Sequence, residues 1–309
     1  MAVSSEKKKK SDWLAHHKDL IYYCIMMIWP VAQFCVFYIG VNFNSVKLAF
    51  QEIDIVNNTT IYTVNNIKQA FWDMTNSKNL LIAAKNSLLG YALMLGVGTT
   101  LGLFFSYYIY KKMPCNGAFR VLLFMPSIVS NIVMVTMFQF FVEQGIPSLW
   151  QELFGEQIQG LIENTDSRFG TIMFFNIWTG FGTSVLMYAN SMSGISEEIV
   201  ESAHLDGATG FREFISITLP MVYPTLTTFI VVGIAGIFTN QLSLYSFYGS
   251  RAPEDIQTYG YYFYMKTKSA KSVAEYPILS AMGLLMTFVA VPLTLLVKWA
   301  LEKFGPSEE

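Results

Sequence analysis

Residues 195–220 read ISEEIVESAHLDGATGFREFISITLP and form a polar island between two long apolar runs. Ser196 is a preferred residue at a helix N-terminus, and the two glutamates that follow it suit the positive end of a helix dipole. Gly207 can adopt the left-handed backbone conformation that commonly ends a helix. This motif segment, residues 195–220, is therefore predicted to form a helix, a turn at Gly207 and a second short helix over 211–218, all lying on a membrane surface.

Seven residues of the motif segment follow a regular spacing: Glu201, Ser202, Ala203, Gly207, Ile217, Leu219 and Pro220. The spacing resembles a cytoplasmic loop in the permease subunits of binding-protein-dependent ABC importers. That loop reads Glu-Ala-Ala, three residues, Gly, nine residues, Ile, one residue, Leu-Pro. Ser202 stands in place of the middle alanine, a change between two small residues that still allows close packing.

The resemblance implies a fold and a coupling role. The implied fold is an all-α polytopic membrane protein with six transmembrane helices, in the type I ABC importer (MetI-like) permease class. The motif segment would dock into a cleft on an ATPase subunit, where Glu201 would bond to a basic group. The residues implied to couple to the ATPase are Glu201, Ser202, Ala203, Asp206, Gly207, Ala208, Ile217, Leu219 and Pro220.

The same resemblance implies partners and a location. Importers of this family combine two permease subunits, two ATPase subunits and a solute-binding protein that is periplasmic or lipid-anchored outside the cell. This chain would pair with a second, homologous permease in a bacterial cell membrane. ATP and Mg would bind to the ATPase partner, and this chain would carry no cofactor of its own.

Composition independently indicates a membrane protein. Hydrophobic residues make up 53% of the 309 residues and charged residues only 14%, well below the roughly 25% charged that is usual for soluble domains. The mean hydropathy is +0.39. The net charge of −2 gives no reason to expect a nucleic-acid partner.

Cysteines and histidines indicate no metal centre. Cys24, Cys35 and Cys115 form no Cys-x-x-Cys pair, so neither a zinc site nor a disulfide framework is predicted. His16 and His17 belong to a basic N-terminal tail. We expect His204 to be solvated beside the motif.

Hydropathy and charge predict six spans with both termini in the cytoplasm. Residues 1–19 form a basic tail, and 20–46 is too long for the apolar core of a signal peptide, so it is interpreted as a retained transmembrane helix. An extracellular loop over 47–85 precedes a permease core over 86–309. The remaining spans are predicted at 86–110, 121–142, 169–193, 221–245 and 277–297. External loops are predicted at 143–168 and 246–276, and four basic residues in the latter run against the positive-inside rule.

The six predicted spans contain no Asp, Glu, Lys, Arg or His. Ionisable residues in a bilayer commonly mark proton or ion pathways, so their absence from these spans suggests that transport is driven from outside the membrane. The sequence has no Gly-Lys dipeptide and hence no phosphate-binding loop of the Walker type. We therefore predict no catalytic residues here and expect a partner subunit to hydrolyse ATP.

The C-terminal half favours a sugar, in particular an oligosaccharide, as the solute. Residues 250–262 and 280–283 resemble the corresponding parts of maltose-type sugar importers, although two glycines of that pattern are missing. A sugar site needs aromatic faces and neutral hydrogen-bonding groups. The candidate substrate path consists of Asn176, Trp178, Asn240, Gln241 and Tyr245. Each of these side chains could instead bond a neighbouring helix or lie in the interfacial aromatic belt.

Three other classes of function remain open at this stage. A permease of the same architecture could carry a phosphonate, a polyamine or an amino acid, although a charged solute usually needs a counter-charge and the predicted spans offer none. A stand-alone channel or secondary carrier would work without an ATPase. An integral membrane enzyme would need a cluster of catalytic or metal-binding residues within the spans, and none is evident.

Overall fold

The computed structural model describes residues 18–54 and 59–306. The predicted basic tail therefore lies almost entirely outside the described residues, together with His16 and His17. The chain divides into two compact units. The smaller comprises the chain up to Ala70 together with Lys271–Leu284, and the larger comprises Phe71–Ala270 together with the chain from Leu285 onward.

The described residues are mostly helical and include one short hairpin, which confirms the predicted all-α class. Helix α1 comprises Lys18–Gln33, the π-helical Phe34–Gly40 and Val41–Ala49. The hairpin pairs β1 (Gln51–Asp54) with β2 (Thr59–Tyr62) in antiparallel fashion. The other helices are α2 (Asn65–Asn76), α3 (Lys78–Tyr110), α4 (Asn116–Ile128), α5 (Asn131–Phe154), α6 (Arg168–Ser193), α7 (Glu197–Leu205), α8 (Phe211–Met221), α9 (Tyr223–Ala235), α10 (Leu244–Tyr248), α11 (Tyr259–Ser269) and α12 (Tyr276–Phe304).

Five helices within the described residues are long and apolar enough to cross a membrane: α1, α3, α5, α6 and α12. The pair formed by α8 and α9 is bent by 67° and gives a sixth candidate if it is counted as one span. We treat α8 as the surface arm of the motif segment and α9 as the membrane part. The apolar side chains of α1 are exposed along the candidate span, as expected for a helix that faces lipid.

The predicted extracellular loop at 47–85 contains regular secondary structure, and its location outside the cell stays a prediction. It contains the end of α1, the hairpin and all of α2, and α3 already begins at Lys78 rather than at residue 86. In the hairpin, Gln51 lies opposite Tyr62 and Asp54 opposite Thr59. The side-chain amide of Asn66 donates to the carbonyl of Gln51 at 2.7 Å and so fastens α2 to the hairpin.

The predicted third span at 121–142 is wrong as a single helix. Helix α4 ends at Ile128, Val129 and Ser130 are extended, and α5 continues to Phe154. The side-chain amide of Asn131 donates to the hydroxyl of Ser246 at 3.2 Å, a tertiary contact that the local pattern does not reveal.

The new position of the third span places Glu143 inside it. The absence of ionisable residues therefore holds within the predicted span boundaries, but not within the observed third span. Carboxylate oxygen Oε1 of Glu143 accepts the backbone N–H of Ile162 at 2.6 Å and that of Glu163 at 3.2 Å. These two bonds satisfy the half-buried carboxylate and hold residues 160–163 against α5.

Helices α3 and α6 pack closely through small residues. The hydroxyl of Ser106 donates to the carbonyl of Gly102 at 2.6 Å and to that of Val185, on the opposite helix, at 3.0 Å. A methyl group at Gly102 would lie 3.7 Å from the hydroxyl oxygen of Ser184, so the two helices are already in close contact there. Small residues at a helix interface allow this approach in membrane proteins.

The predicted fifth span at 221–245 is also wrong as a single helix. Helix α9 ends at Ala235, and an irregular segment over 236–243 follows, in which Leu242 and Ser243 have positive φ. Other elements supply hydrogen bonds to its free carbonyls: Thr258 donates to Asn240 at 2.9 Å and the side-chain amide of Asn176 donates to Leu242 at 3.0 Å. Irregular backbone at membrane depth requires such partners.

Candidate functional site

The motif helix α7 begins at the predicted position, but Ser196 does not make the expected capping bond. Ser196 has the extended backbone of an N-cap residue, with ψ at 141°, and Glu197 and Glu198 occupy the first turn. The hydroxyl of Ser196 makes no capping hydrogen bond. The two exposed carboxylates therefore provide the favourable charge at this helix end.

The predicted end of α7 at Gly207 is confirmed. Gly207 has a φ of +79°, its N–H donates to the carbonyl of His204 at 3.0 Å, and the N–H of Ala208 donates to that of Ala203 at 2.8 Å. Together these two bonds form the Schellman arrangement that closes a helix C-terminus.

A second glycine, which the sequence analysis did not single out, starts α8. Gly210 has a φ of +56° and a ψ of −121°, a conformation that essentially only glycine adopts. The hydroxyl of Tyr107, near the end of α3, donates to the carbonyl of Gly210 at 3.1 Å. The two positive-φ glycines therefore flank a two-residue link, and its far end is held by α3.

The predicted coupling residues divide by exposure. Glu201, Ser202, Asp206 and Gly207 are exposed, Ala203 and Ala208 are buried, and Ile217, Leu219 and Pro220 are half-buried. Leu205 is 90% exposed and Phe211 is 66% exposed, and neither was singled out from sequence. Large apolar side chains this exposed on a polar segment are typical of a surface that another protein covers.

The charged residue Glu213 lies buried beneath the motif helix. Its carboxylate oxygens lie 2.5 Å from Nζ of Lys111, just beyond α3, and 2.9 Å from Nε2 of His204 on α7. The expectation that His204 is simply solvated is therefore wrong, because its ring bonds Glu213 even though its side chain remains partly exposed. Neither Lys111 nor Glu213 stands out in the sequence, since only the tertiary structure brings them together.

The pKa of Glu213 reflects two opposing effects. Burial by itself would raise the pKa, but hydrogen bonds from Lys111 and His204, together with their charges, hold it below the ordinary value of 4.5. The carboxylate is therefore ionised at neutral pH and forms the centre of the Glu213 cluster, which consists of Lys111, His204 and Glu213.

Acidification should remove the stabilising effect of this cluster. Because the pKa of Glu213 is lower in the folded protein, its contribution is fully present above pH 4.5 and is lost as the pH falls through the folded-state pKa. We expect the difference in thermal unfolding temperature between the wild-type protein and Glu213→Gln to keep its full size above pH 4.5 and to shrink as the pH falls below it. A difference that stays constant on acidification would contradict this assignment.

A cavity of about 430 Å³ lies among α3, α6, α9 and the irregular segment over 236–243. The residues that line it are all neutral, and they combine hydroxyl and amide groups with four aromatic rings. Its polar lining residues are Ser87, Thr99, Asn176, Thr183, Ser184, Thr239, Asn240 and Thr258, and its aromatic ones are Tyr91, Phe181, Tyr188 and Phe229. Such a surface suits an uncharged, hydroxyl-rich solute.

Two of the five residues predicted for the substrate path, Asn176 and Asn240, line this cavity. Asn176 also has a structural task, since its amide donates to Leu242 and its carbonyl oxygen accepts the hydroxyl of Ser243 at 3.3 Å. The side-chain oxygen of Asn240 accepts the N–H of Leu242 at 2.8 Å. Both amides therefore line the cavity and also stabilise the backbone that forms its wall.

The other three predicted residues lie outside the cavity lining. Trp178 packs against a core of aromatic rings, with its ring centre 6.3 Å from that of Phe138. The hydroxyl of Tyr245 bonds Lys268, and its ring meets that of Tyr264 edge to face at 5.0 Å. Gln241 lies half-buried in the irregular segment. Among the described residues, no three His, Cys, Asp or Glu side chains meet as a metal site would require.

Comparison with known proteins gives a family match. The model of the family described as binding-protein-dependent transport system inner membrane component matches residues 98–308, more than half of the chain. A probable ABC transporter permease protein of Mycoplasma pneumoniae, the MG188 homolog, is 25% identical over 188 residues, which cover 58% of this chain and 56% of the relative. The arabinooligosaccharides transport system permease protein AraP of Bacillus subtilis is 22% identical over 206 residues, covering 65% and 59%. The chain spans about half the length of the curated relatives it matches.

Solved structures share the fold. One chain of a bacterial ABC transporter involved in the import of the acidic polysaccharide alginate aligns with a TM-score of 0.76 at 19% identity, covering 94% of this chain and 98% of the other. A second structure, of a bacterial alginate ABC transporter in complex with an alginate pentasaccharide-bound periplasmic protein, gives a TM-score of 0.73 at 18% identity, covering 94% and 97%. The predicted permease fold is thereby confirmed.

Proposed function

This chain belongs to the family of binding-protein-dependent transport system inner membrane components, and on that premise we propose that it is a permease subunit of an ATP-driven sugar importer. In this proposal it forms part of the translocation path, while a separate ATPase supplies the work. It pairs with a second, homologous permease, and two ATPase subunits dock on the inner face. A binding protein delivers the solute from outside, and both termini of this chain lie in the cytoplasm.

The observation that carries the proposal is the shape of the motif segment. Helix α7 is closed at Gly207 and presents Glu201, Ser202 and Asp206 to solvent, beside the nearly fully exposed Leu205. An anionic group beside an exposed apolar side chain suits a cleft with a basic residue and an apolar floor. We assign that cleft to the ATPase.

The structure offers a mechanical route from this surface to the cavity. The motif segment connects α6 to α9, and both of these helices line the cavity. When ATP draws the two ATPase subunits together, the docked helices α7 would move with them. Displacement of α6 and α9 as packed bodies would then change which side of the membrane the cavity opens to.

The cavity supports a neutral oligosaccharide as the solute. Its lining carries no charged residue among those that the structure describes, which argues against a phosphonate or polyamine that would need a counter-charge. Two relatives are the permease proteins AraP, of an arabinooligosaccharide transport system, and MalF, of a maltose/maltodextrin transport system. An acidic solute such as alginate would need charges from the second permease.

The proposal can be tested by assembling the importer. We expect an ATPase subunit to co-purify with the tagged wild-type chain from its native membrane, and Glu201→Lys to lower its recovery at least about tenfold, because like charges at an interface repel. Glu302→Lys is the matched control: Glu302 is an exposed glutamate on α12, paired only loosely with Lys298 at 3.7 Å. It should leave recovery unchanged.

The same preparation distinguishes the alternatives once it is placed in liposomes. Uptake of labelled arabino- and malto-oligosaccharides that requires ATP and the binding protein would support the sugar importer. Preferential uptake of an alginate oligosaccharide or of a charged small solute would replace the substrate class. Solute movement by the isolated chain, without an ATPase, would make it a carrier or channel and refute the proposal.

A further inference from the structure

The buried cluster around Glu213 joins three separate elements. Glu213 itself lies on α8 and is 1% exposed, His204 lies on the motif helix α7, and Lys111 follows the last residue of α3. The distances of 2.5 Å and 2.9 Å make both contacts direct. Helix α3 lies far from the motif segment in sequence, yet its end meets the buried side of that segment.

Aromatic packing fixes the same junction. Phe214, the residue after Glu213, is 4% exposed, and its ring lies 5.4 Å from that of Phe104 and 4.9 Å from that of Tyr107, both on α3. The bond from Tyr107 to the carbonyl of Gly210 adds a polar contact. Helix α8 is therefore packed against α3 by contacts that do not depend on the Glu213 cluster.

Helix α7 has no comparable attachment through its chain to α8. Gly207 and Gly210 both have positive φ, and only Ala208 and Thr209 lie between them. These two residues are the covalent link between α7 and α8. The side-chain bond from His204 to Glu213 bridges across it and joins the motif helix to the rigid body formed by α8 and α3.

We propose that Glu213 is a positioning residue that makes the motif helix move together with α3, so that force from the ATPase reaches the α3 side of the cavity as well as α6 and α9. The proposal rests on the function proposed above and adds a residue to its coupling path. Tyr91, Met94 and Thr99 of α3 line the cavity, so a displacement of α3 would act directly on its wall.

Charge is essential to the link, because a buried carboxylate holds its two partners only while it is ionised. Glu213→Gln keeps the size of the side chain and can still accept a hydrogen bond, but it loses the charge. His204→Ala removes the bond between α7 and Glu213 and leaves the contact of Glu213 with Lys111 in place. Glu302→Gln is the control, since that residue belongs to an exposed ion pair of little energetic weight.

The test measures solute transported per ATP hydrolysed by the assembled importer in liposomes. We expect Glu213→Gln to retain the co-purified ATPase and its ATP hydrolysis while transport per ATP falls about tenfold, the scale of coupling between residues in direct contact. His204→Ala should fall as far while retaining the ATPase, and Glu302→Gln should match the wild type.

Several outcomes would overturn the link. Transport and ATP hydrolysis that fall in parallel, with lower yield of folded complex, would show a purely structural role for Glu213. An unchanged ratio in Glu213→Gln or in His204→Ala would show that the contact between α7 and Glu213 transmits nothing. Absence of any ATPase from the wild-type preparation would instead reject the proposed function, so the two failures are distinguishable.

Discussion

Replacement of Gly207 by proline is expected to reduce ATP-driven uptake by roughly a hundredfold while the chain still inserts into the membrane. Proline fixes φ near −65°, whereas Gly207 has a φ of +79°, and it removes the N–H that bonds His204. The loss of this turn costs about 3 kcal/mol or more, and each 1.4 kcal/mol changes a population about tenfold. Only a small fraction of molecules would then present α7 in the docking geometry. Uptake in liposomes and the amount of chain in the membrane fraction measure the two expectations.

Gly155 offers a matched control for this substitution. It ends α5 with a φ of +74°, its N–H donates to Gln151, and a side chain there would meet nothing within 4 Å. Gly155→Pro therefore creates the same local defect outside the motif segment, and we expect uptake to stay close to that of the wild type. Equal losses in both variants would mean that Gly207 matters for folding only. Normal uptake in Gly207→Pro would refute the docking role of α7.

The second large effect is expected at Gly260, where even alanine should destabilise the fold. A methyl group there would lie 2.4 Å from the carbonyl oxygen of Thr239 and 2.6 Å from that of Asn240. Both obstacles are backbone atoms of the irregular segment beside the cavity, so they cannot move aside as a side chain would. We expect a cost of about 3 kcal/mol, which corresponds to a fall of roughly 6–12 °C in unfolding temperature.

Thermal unfolding of the purified chain in detergent measures this effect. Gly170→Ala is the control, because a methyl group at Gly170 meets nothing within 4 Å in the first turn of α6. Alanine also favours a helix over glycine, so its unfolding temperature should stay the same or rise. If Gly260→Ala unfolds at the wild-type temperature, then α11 does not hold the irregular segment as tightly as the structure indicates.

The motif segment shows which features of the structure the local sequence pattern can predict. Ser196 and Gly207 mark the two ends of α7 in the sequence and in the structure, because N-cap and left-handed C-terminal positions depend mainly on neighbouring residues. Glu213 could not be assigned in the same way. Its partners Lys111 and His204 come from different elements, and an acidic residue on a polar surface loop is ordinarily solvated.

The candidate substrate path shows the corresponding limit for the cavity. Asn176 and Asn240 line it, whereas Trp178 faces a packed aromatic core and Tyr245 pairs with Lys268. Residue type predicts what a side chain can bind. The direction in which that side chain points depends on the position of α6 and on the residue at which α9 ends. The local sequence determines neither.

The sequence by itself determined the membrane class, the family and the turn of the motif segment. These follow from the amount of apolar residue per span and from contacts within a few positions of one another. The tertiary structure alone decided that the third span begins at Asn131, that the fifth breaks after Ala235, and that a buried carboxylate ties α7 to the end of α3. A run of apolar residues specifies burial in lipid, but irregular backbone can follow a helix inside the membrane only where distant side chains such as Asn176 and Thr258 bond its carbonyls.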